Sequence, residues 1–435
     1  MTDLIRSLGN RYLDYLTDES GIRGKADTIS FPKTEAQVQQ IVKTLAKLEI
    51  PITVQGSRTG FSGRAVPAGG HILNLSAMKK VMGLEQDESG QFLIRVQPGL
   101  GLLDLDHQLY ARRFDLMDGY SFPAIDIFKR AGRRFWPPDP TESHASIGGI
   151  AATNARGICF HAYGPARRHV RGIRIVDASG DVRSLEKERF CFSDDIPGVI
   201  TELLLDLIPK PSEIWGIVFF LKDWFSAAEF AGDLGKHQIR GPRSVIAGIQ
   251  LMNQTTLMSI KDYKKKNHPS AHLPDIDSKF SAAVCIELHG HDPHSVETLA
   301  KFLMETAEGF NCDPDDSWAF SGEHEVNKLH GFCHAAQASV LYHMNTAHRL
   351  DPRIIRTGME IHCREGAISE ALDNFEKDLH RAGLRAAVFG HAADGCLQMN
   401  ILPRDYRQFI KAKALLEKWT SAGNPNMITG NQNEK

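Results

Sequence analysis

Residues 55–70 read QGSRTGFSGRAVPAGG and hold Gly56, Gly60, Gly63, Gly69 and Gly70. Glycine at that density marks a backbone that turns tightly or approaches another group more closely than a Cβ would allow. The loop follows an apolar run, Ile52–Val54, and leads into HILNLSAM, whose alternation predicts a second strand. A dinucleotide fingerprint needs G-x-G-x-x-G opening a helix, and a P-loop needs G-x-x-x-x-G-K-[ST]. The spacing here is G-x3-G-x2-G with no helix after it, so it fits neither. What remains is a loop whose bare backbone can bring N–H groups to an anion without a helix.

Upstream, Thr28 to Phe31 reads as a short strand. Thr34 with Gln37 three positions on matches a capping box, and Val38, Ile41, Val42, Leu45 and Leu48 repeat at helical spacing. Pro51 ends that helix, which makes a β-α-β unit with the glycine loop at its exit. LIRVQPGLGLLDLDHQLYARR predicts a strand, a turn at Pro98-Gly99, and a helix through Leu102, Leu105 and Leu109. RGIRIVDASGDVRSL predicts a hairpin turning at Ser179-Gly180.

A second small-residue segment, FWPPDPTESHASIGGIAATNARGICFHAYG, spans residues 135–164. Asp139 and Pro140 fix a turn, and Ser146, Gly148, Gly149, Thr153, Asn154 and Gly157 present short side chains and exposed backbone. Two such segments form two walls, between which N–H groups and hydroxyls can hold a diphosphate with no helix-dipole site.

The chain has 435 residues, more than one core usually serves, and two domains are expected, 1–212 and 213–435, meeting near LIPKPSEIW. A net charge of −2 gives no long-range pull toward nucleic acid. Arg167, Arg168, Arg171 and Arg174 read as a partly solvated face. Seven scattered cysteines with no C-x-x-C argue against a disulfide framework or a structural zinc site. The first residues have no apolar signal core, and IWGIVFFL falls far below the roughly 20 residues of a spanning helix, so a cytoplasmic protein with no transmembrane segment is expected. KDYKKKNHPSAHLPDIDSK (261–279) reads as an exposed connection, and RAAVFGHAADGCLQMNILP as a hairpin around Asp394-Gly395. The second half therefore reads as an α+β layer with a largely antiparallel sheet.

The segments PITVQGSRTGFSGRAVPAGGHILNLSAM, VQPGLGL, PPDPTESHASIGGIAATNARG, YGPARRHVRGIRIVDASGDV and GVITELLLDLIPKP occur in this order. They resemble the FAD-binding domain of the vanillyl-alcohol oxidase / p-cresol methylhydroxylase family, in its glycolate oxidase and D-lactate dehydrogenase branch. The resemblance implies an α+β fold: a two-subdomain FAD-binding domain of the p-cresol methylhydroxylase type and an α+β cap. It further implies that Gly56, Ser57, Arg58, Thr59, Gly60, Ser62 and Gly63 hold the FAD pyrophosphate. Pro138, Asp139, Ser146, Gly148, Gly149, Asn154 and Gly157 would form the opposite wall, with Ile200 and Thr201 near the adenine. No histidine stands in the first loop, so the flavin is expected to be non-covalent.

FGHAADGCLQMNILP resembles the family's G-H-x-G-D-x-x-x-H-x-N. His391 and Asn400 match it, but Gln398 stands at the second histidine, where a carboxamide is a poor transition-metal ligand; no metal site is assigned. Cys333 replaces the arginine of Phe-Arg-His-Ala, Asn431-Gln432 replaces a C-terminal Glu-His, and CFSDDIPG (191–198) replaces a longer segment. His391, Asn400 and Arg356 are the catalytic candidates. The implied activity is hydride transfer from the CH–OH of a 2-hydroxy acid, glycolate- or D-lactate-like, to FAD, with electrons passing to a redox partner. The alternative is an FAD-binding protein or subunit without hydroxy-acid activity.

Overall fold

The computed structural model describes residues 4–60, 62–119, 122–140, 144–190, 196–236, 243–266, 275–363, 368–421 and 427–430. Cys191, the rest of 191–195, Asn431 and Gln432 lie outside them. The chain divides into two compact units, Met1–Gly157 with Tyr163–Lys210, and Ile158–Ala162 with Pro211–Lys435.

The first unit begins with β1 (Arg6–Ser7), β2 (Thr28–Ser30), α1 (Glu35–Ala46), β3 (Ile52–Gln55) and β4 (His71–Asn74). They build a four-stranded sheet in the order β1-β2-β4-β3, with β4 parallel to both β2 and β3. The cap of α1 is reciprocal: Gln37 N–H donates to Thr34 Oγ1 at 3.3 Å, and Gln37 Oε1 accepts from Lys33 N–H at 2.7 Å. Val38, Ile41, Val42 and Leu45 bury one face of the helix, each contributing about 1.5–3 kcal/mol of apolar transfer. Leu48 continues the sequence period but lies past the helix end and is exposed, because the chain turns at Glu49, in the left-handed region at φ 54°.

The second sheet uses β5 (Val81–Gln86), β6 (Phe92–Val96), β7 (Arg134–Phe135), β8 (Val170–Val176), β9 (Val182–Glu186) and β10 (Val199–Pro209). Its order is β5-β6-β10-β8-β9, with β7 also on β10. Helices α2 (Leu102–Ala111), α3 (Ile125–Arg130) and α4 (Ile147–Ala152) cover it, and their apolar residues join Ile94, Val96, Ile173, Leu203 and Leu205 in one core. Two short helices, α5 (Phe160–Tyr163) and α6 (Lys187–Phe190), complete this part of the chain.

Two expectations are corrected here. Arg167 is 1% exposed rather than part of a solvated face. Its guanidinium donates to the carbonyls of Ala151 at 2.9 Å, Ala152 at 2.7 Å and Phe190 at 3.1 Å, so it satisfies chain-end carbonyls that would otherwise be buried unpaired. The second glycine segment also opens a helix, α4, which the sequence reading placed in a loop; Ser146 caps it by accepting from Gly149 N–H.

The second unit is one eight-stranded sheet, antiparallel at every pairing. Its elements are β11 (Glu213–Leu221), α7 (Trp224–Lys236), β12 (Ser244–Asn253), α8 (Gln254–Lys266), β13 (Ala282–Gly290), α9 (Pro293–Glu308), β14 (Ser317–Ser321), α10 (Glu323–Leu350), β15 (Thr357–Cys363), α11 (Ile368–Ala382), β16 (Ala386–His391), β17 (Cys396–Ile401), α12 (Tyr406–Ser421) and β18 (Met427–Gly430). The strand order is β14-β11-β13-β12-β16-β17-β15-β18. The expected connection at 261–279 is corrected for its first part: residues 261–266 are the last turns of α8. Alternate residues of the strands bury on the α7, α9 and α11 side. The other face packs on α8 and α10 in its middle and carries polar side chains elsewhere. Among the described residues no helix is long and apolar enough to cross a membrane.

His71 sits wholly buried between parallel strands, with Thr28 Oγ1 at 2.8 Å from Nδ1 and Ser30 Oγ at 2.8 Å from Nε2. One hydroxyl donates to the ring and the other accepts from it, which suits a neutral imidazole; burial lowers its pKa from 6.5 to about 4. The unfolded chain therefore takes up a proton in that window that the fold refuses, and stability present above pH 6.5 is lost as pH falls toward 4. The loss attributable to His71 is ~3 kcal/mol. Urea unfolding of the wild type and of His71→Gln across that window measures it; the variant should show the shallower pH dependence.

Candidate functional site

In the first unit the two glycine-rich segments touch. A Cβ on Gly56 would stand 2.2 Å from Ser146 Oγ and 4.0 Å from Gly149 N, so only glycine lets the first loop lie against the cap of α4. Gly148 is pressed on Pro98 and Gly157 on Asp139, where an added Cβ would meet neighbouring atoms at 2.5 Å in both cases. Pro138 is buried beside that contact. Asn154, in the left-handed region at φ 49°, accepts from Arg167 N–H at 3.0 Å.

The donors of the two walls differ. Ile147 N–H and Gly148 N–H donate to Leu100 O and Pro98 O, both at 2.8 Å, and Gly149 N–H goes to Ser146. These three donors at the start of α4 are therefore spent within the protein. In the first loop, Ser57, Thr59 and Gly60 N–H find no acceptor among the described residues; these donors suit an anionic ligand. Arg58, at φ 63°, turns its guanidinium to the carbonyls of Asp14 and Thr17 and over the Tyr15 ring at 4.4 Å. Ser62 is half-buried, and Gly63 holds a left-handed turn at φ 72°.

Ile200 and Thr201 are buried on β10, Ile200 in the same apolar cluster as Ile147 and Ile150 of α4. Thr201 donates to Glu35 Oε2 at 2.7 Å, and Arg174 holds the same carboxylate with bonds of 2.7 and 3.1 Å. Burial raises the Glu35 pKa, but the bonds from Arg174 and Thr201 outweigh it and the net shift is downward. These groups line a cavity of about 880 Å³ together with Arg95, Gln97 and Glu202, and no residue of either glycine wall lines it.

In the second unit the strand register assembles a polar face. Gln250, His391, Cys396 and His362 stand side by side on β12, β16, β17 and β15. Phe389, Gln398 and Glu360 form the next row, and Ala387, Asn400 and Gly358 the one after. Arg356 precedes β15 and leans back along it, donating to Asn400 Oδ1 from Nε at 3.0 Å and from Nη2 at 2.9 Å. Thus Arg356 and Asn400 are brought together. His391 lies two rows away, about 13 Å along the strand at ~3.3 Å per residue, with its ring 5.9 Å from that of Phe160. Gln398 Oε1 and Asn400 Nδ2 are buried without a partner among the described residues. Cys333 lies against Cys285, whose thiol pKa burial and that neighbour raise.

Two groups were not singled out in the sequence. Glu287 Oε1 and Oε2 receive His289 Nε2 at 2.7 Å and His330 Nε2 at 2.6 Å, and Cys159 Sγ lies 3.8 Å from His289. Burial alone would raise the Glu287 pKa, yet His330 and His289 carry it well below the ordinary value. Glu360, His362 and Cys396 form the second group. In both, a Glu-x-His on one strand puts two side chains on one face, a period-2 signal that ELH and EIH do contain.

With that geometry in place, comparison with known proteins assigns the class. Residues 26–128 and 119–186 match the FAD binding domain, and residues 217–423 match the C-terminal domain of FAD linked oxidases. The chain belongs to the FAD-linked oxidase family, and FAD is the cofactor of its first domain. The D-lactate dehydrogenase of Anaerostipes hadrus is 30% identical over 220 residues, 47% of this chain and 42% of that protein. The glycolate oxidase subunit GlcD of Bacillus subtilis (strain 168) is 25% identical over 385 residues, 85% of this chain and 72% of that one. The fold is shared with p-cresol methylhydroxylase solved with substrate bound, at a TM-score of 0.65 and 16% identity, covering 96% of this chain and 84% of that chain. The match to the dehydrogenase thus spans less than half of its length.

The tight seat of Gly56 makes a direct test. Gly56→Ala should force Ser146 Oγ aside, cost about 1–2 kcal/mol through the lost cap, and lower the flavin retained through purification. Adding Ser146→Gly removes the obstructing hydroxyl and should recover most of that stability, since glycine replaces a cap at a cost of only a few tenths of a kcal/mol. Denaturant midpoints and the ratio of visible to ultraviolet absorbance read both effects.

Proposed function

We propose that this protein oxidises the CH–OH group of a small 2-hydroxy acid with non-covalent FAD. The observation that carries the reading is the Arg356–Asn400 pair on the polar face of an FAD-linked oxidase C-terminal domain. Arg356 presents a planar, permanently charged guanidinium, already oriented by Asn400, which suits a carboxylate. His391, about 13 Å along the strand from that pair, is too far to act on the same small acid, so a group nearer Arg356 takes the proton of the substrate hydroxyl. The flavin, when bound, supplies the hydride acceptor. Ser57, Thr59 and Gly60 N–H hold its pyrophosphate against the wall formed by Ser146, Gly148 and Gly149, with Asp139 and Gly157 behind; residues 1–212 are the cofactor domain and 213–435 the substrate domain. Relatives named for glycolate and D-lactate support the substrate class. A redox partner, in the cytoplasm, takes the electrons onward.

A second reading has its own observation. Cys333 is packed on Cys285 where an arginine would supply a further carboxylate contact, and Gln398 holds a carboxamide where a histidine would offer a metal ligand. In that reading the protein carries FAD without oxidising a hydroxy acid.

Anaerobic spectra separate the two. Addition of glycolate, D-lactate or a longer 2-hydroxy acid should bleach the flavin band. Arg356→Ala should raise the half-bleaching concentration by roughly 10- to 100-fold, the worth of a charged hydrogen-bonded contact, without changing flavin content. A flavin that no acid bleaches would sink the oxidase reading in favour of the carrier.

A further inference from the structure

The polar face holds a ligand set that the oxidase reading does not use. Glu360 and His362 are two residues apart on β15 and project from the same side. The β15–β17 register sets His362 opposite Cys396. Their donor atoms converge: Cys396 Sγ lies 2.8 Å and His362 Nε2 3.0 Å from the same Glu360 Oε1, and all three lie within 4.8 Å of one another.

The backbone beneath them is fixed on both sides. β16 flanks β17, and β18 flanks β15. Gly395 holds a left-handed turn at φ 69°, with its Cα so close to Cys363 that a Cβ would meet the carbonyl oxygen at 2.4 Å. Cys396 N–H is donated to Asp394 Oδ1 at 3.3 Å. Cys396 is 5% exposed, while about a third of the Glu360 and His362 side chains reaches solvent. The cluster is thus held by paired strands yet open on one side.

We propose that Glu360, His362 and Cys396 form a binding site for a thiophilic divalent metal, zinc foremost. A thiolate, an imidazole nitrogen and a carboxylate oxygen are the ligand types zinc takes at about 2.0–2.3 Å. Calcium and magnesium, which require oxygen ligands, do not suit a thiolate. Three protein ligands leave a fourth position for water, the arrangement of an open rather than a closed zinc site. Binding forms the metal–sulfur bond and releases the Cys396 thiol proton to solvent, so affinity rises with pH. The buried Cys159, Glu287 and His289 group is the competing location; there the carboxylate is already spanned by the imidazoles of His289 and His330. The proposal stands whether or not the flavin oxidises a hydroxy acid, since its readout is metal content.

The test uses the full-length flavoprotein dialysed against zinc buffered by a competing chelator, with bound metal counted by mass spectrometry. One zinc per chain is expected. Cys396→Ser and His362→Gln should each weaken binding by at least ~100-fold, with flavin content and circular dichroism unchanged, while Cys159→Ser keeps the metal. Should either variant misfold, zinc-edge X-ray absorption of the wild type decides: one sulfur at about 2.3 Å with nitrogen and oxygen neighbours near 2.0 Å supports the site, and a shell without sulfur overturns it. No bound zinc, or zinc lost only in Cys159→Ser, also overturns it.

Discussion

The first unit depends on backbone packed against backbone where no side chain fits. Gly56 lies on Ser146, Gly148 on Pro98, Gly157 on Asp139, and Gly99 against Leu75 and Met78, where an added Cβ would meet a carbonyl oxygen at 2.1 Å. These approaches draw the loop after β3, the turn before α2 and the start of α4 onto one another. The start of α4 spends Ile147 N–H and Gly148 N–H on Leu100 O and Pro98 O to hold that contact.

Much of this was legible in the sequence because it is local. The Thr34–Gln37 cap, the Pro98-Gly99 turn, the Ser179-Gly180 hairpin and the His391–Cys396 pairing all follow from periods and turn residues within a few positions. What escaped depended on distant partners. Nothing near Arg167 announces that it will be buried under the carbonyls of α4 and Phe190. The short helix at Ile147 was hidden by its own glycines, whose helix propensity is low, and forms because its first N–H groups find Pro98 and Leu100. The lysine run at the end of α8 reads as a solvated connection, and it is solvated, but on a helix.

The candidate site divides in the same way. Residues carried by motif, His391 and Asn400, could be named as candidates from the sequence; Glu287, His289 and Glu360 could not, because a charged residue inside an apolar strand run looks like an interruption. Each is made tolerable by a partner from elsewhere: His330 of α10 for Glu287, and Cys396 of β17 for Glu360. Arg356 was legible as a candidate, but its bidentate hold on Asn400 was not, since it depends on the pairing of β15 with β17. The resemblance that points to the first loop for FAD therefore says less about the face that would meet a substrate.

That polar face has a bearing on how the sheet finds its own alignment. The strands of the second unit are buried on their α7, α9 and α11 side by residues such as Val284, Ile286, Ile361, Leu397 and Met399, which alternate with Cys285, Glu287, His362, Cys396 and Gln398. A slip of one residue in any pairing would turn charged and amide groups into that core and apolar ones out. The groups available for chemistry thus also mark which side of each strand is up. Drift that replaced them by aliphatic residues would remove the penalty that keeps neighbouring strands from exchanging register.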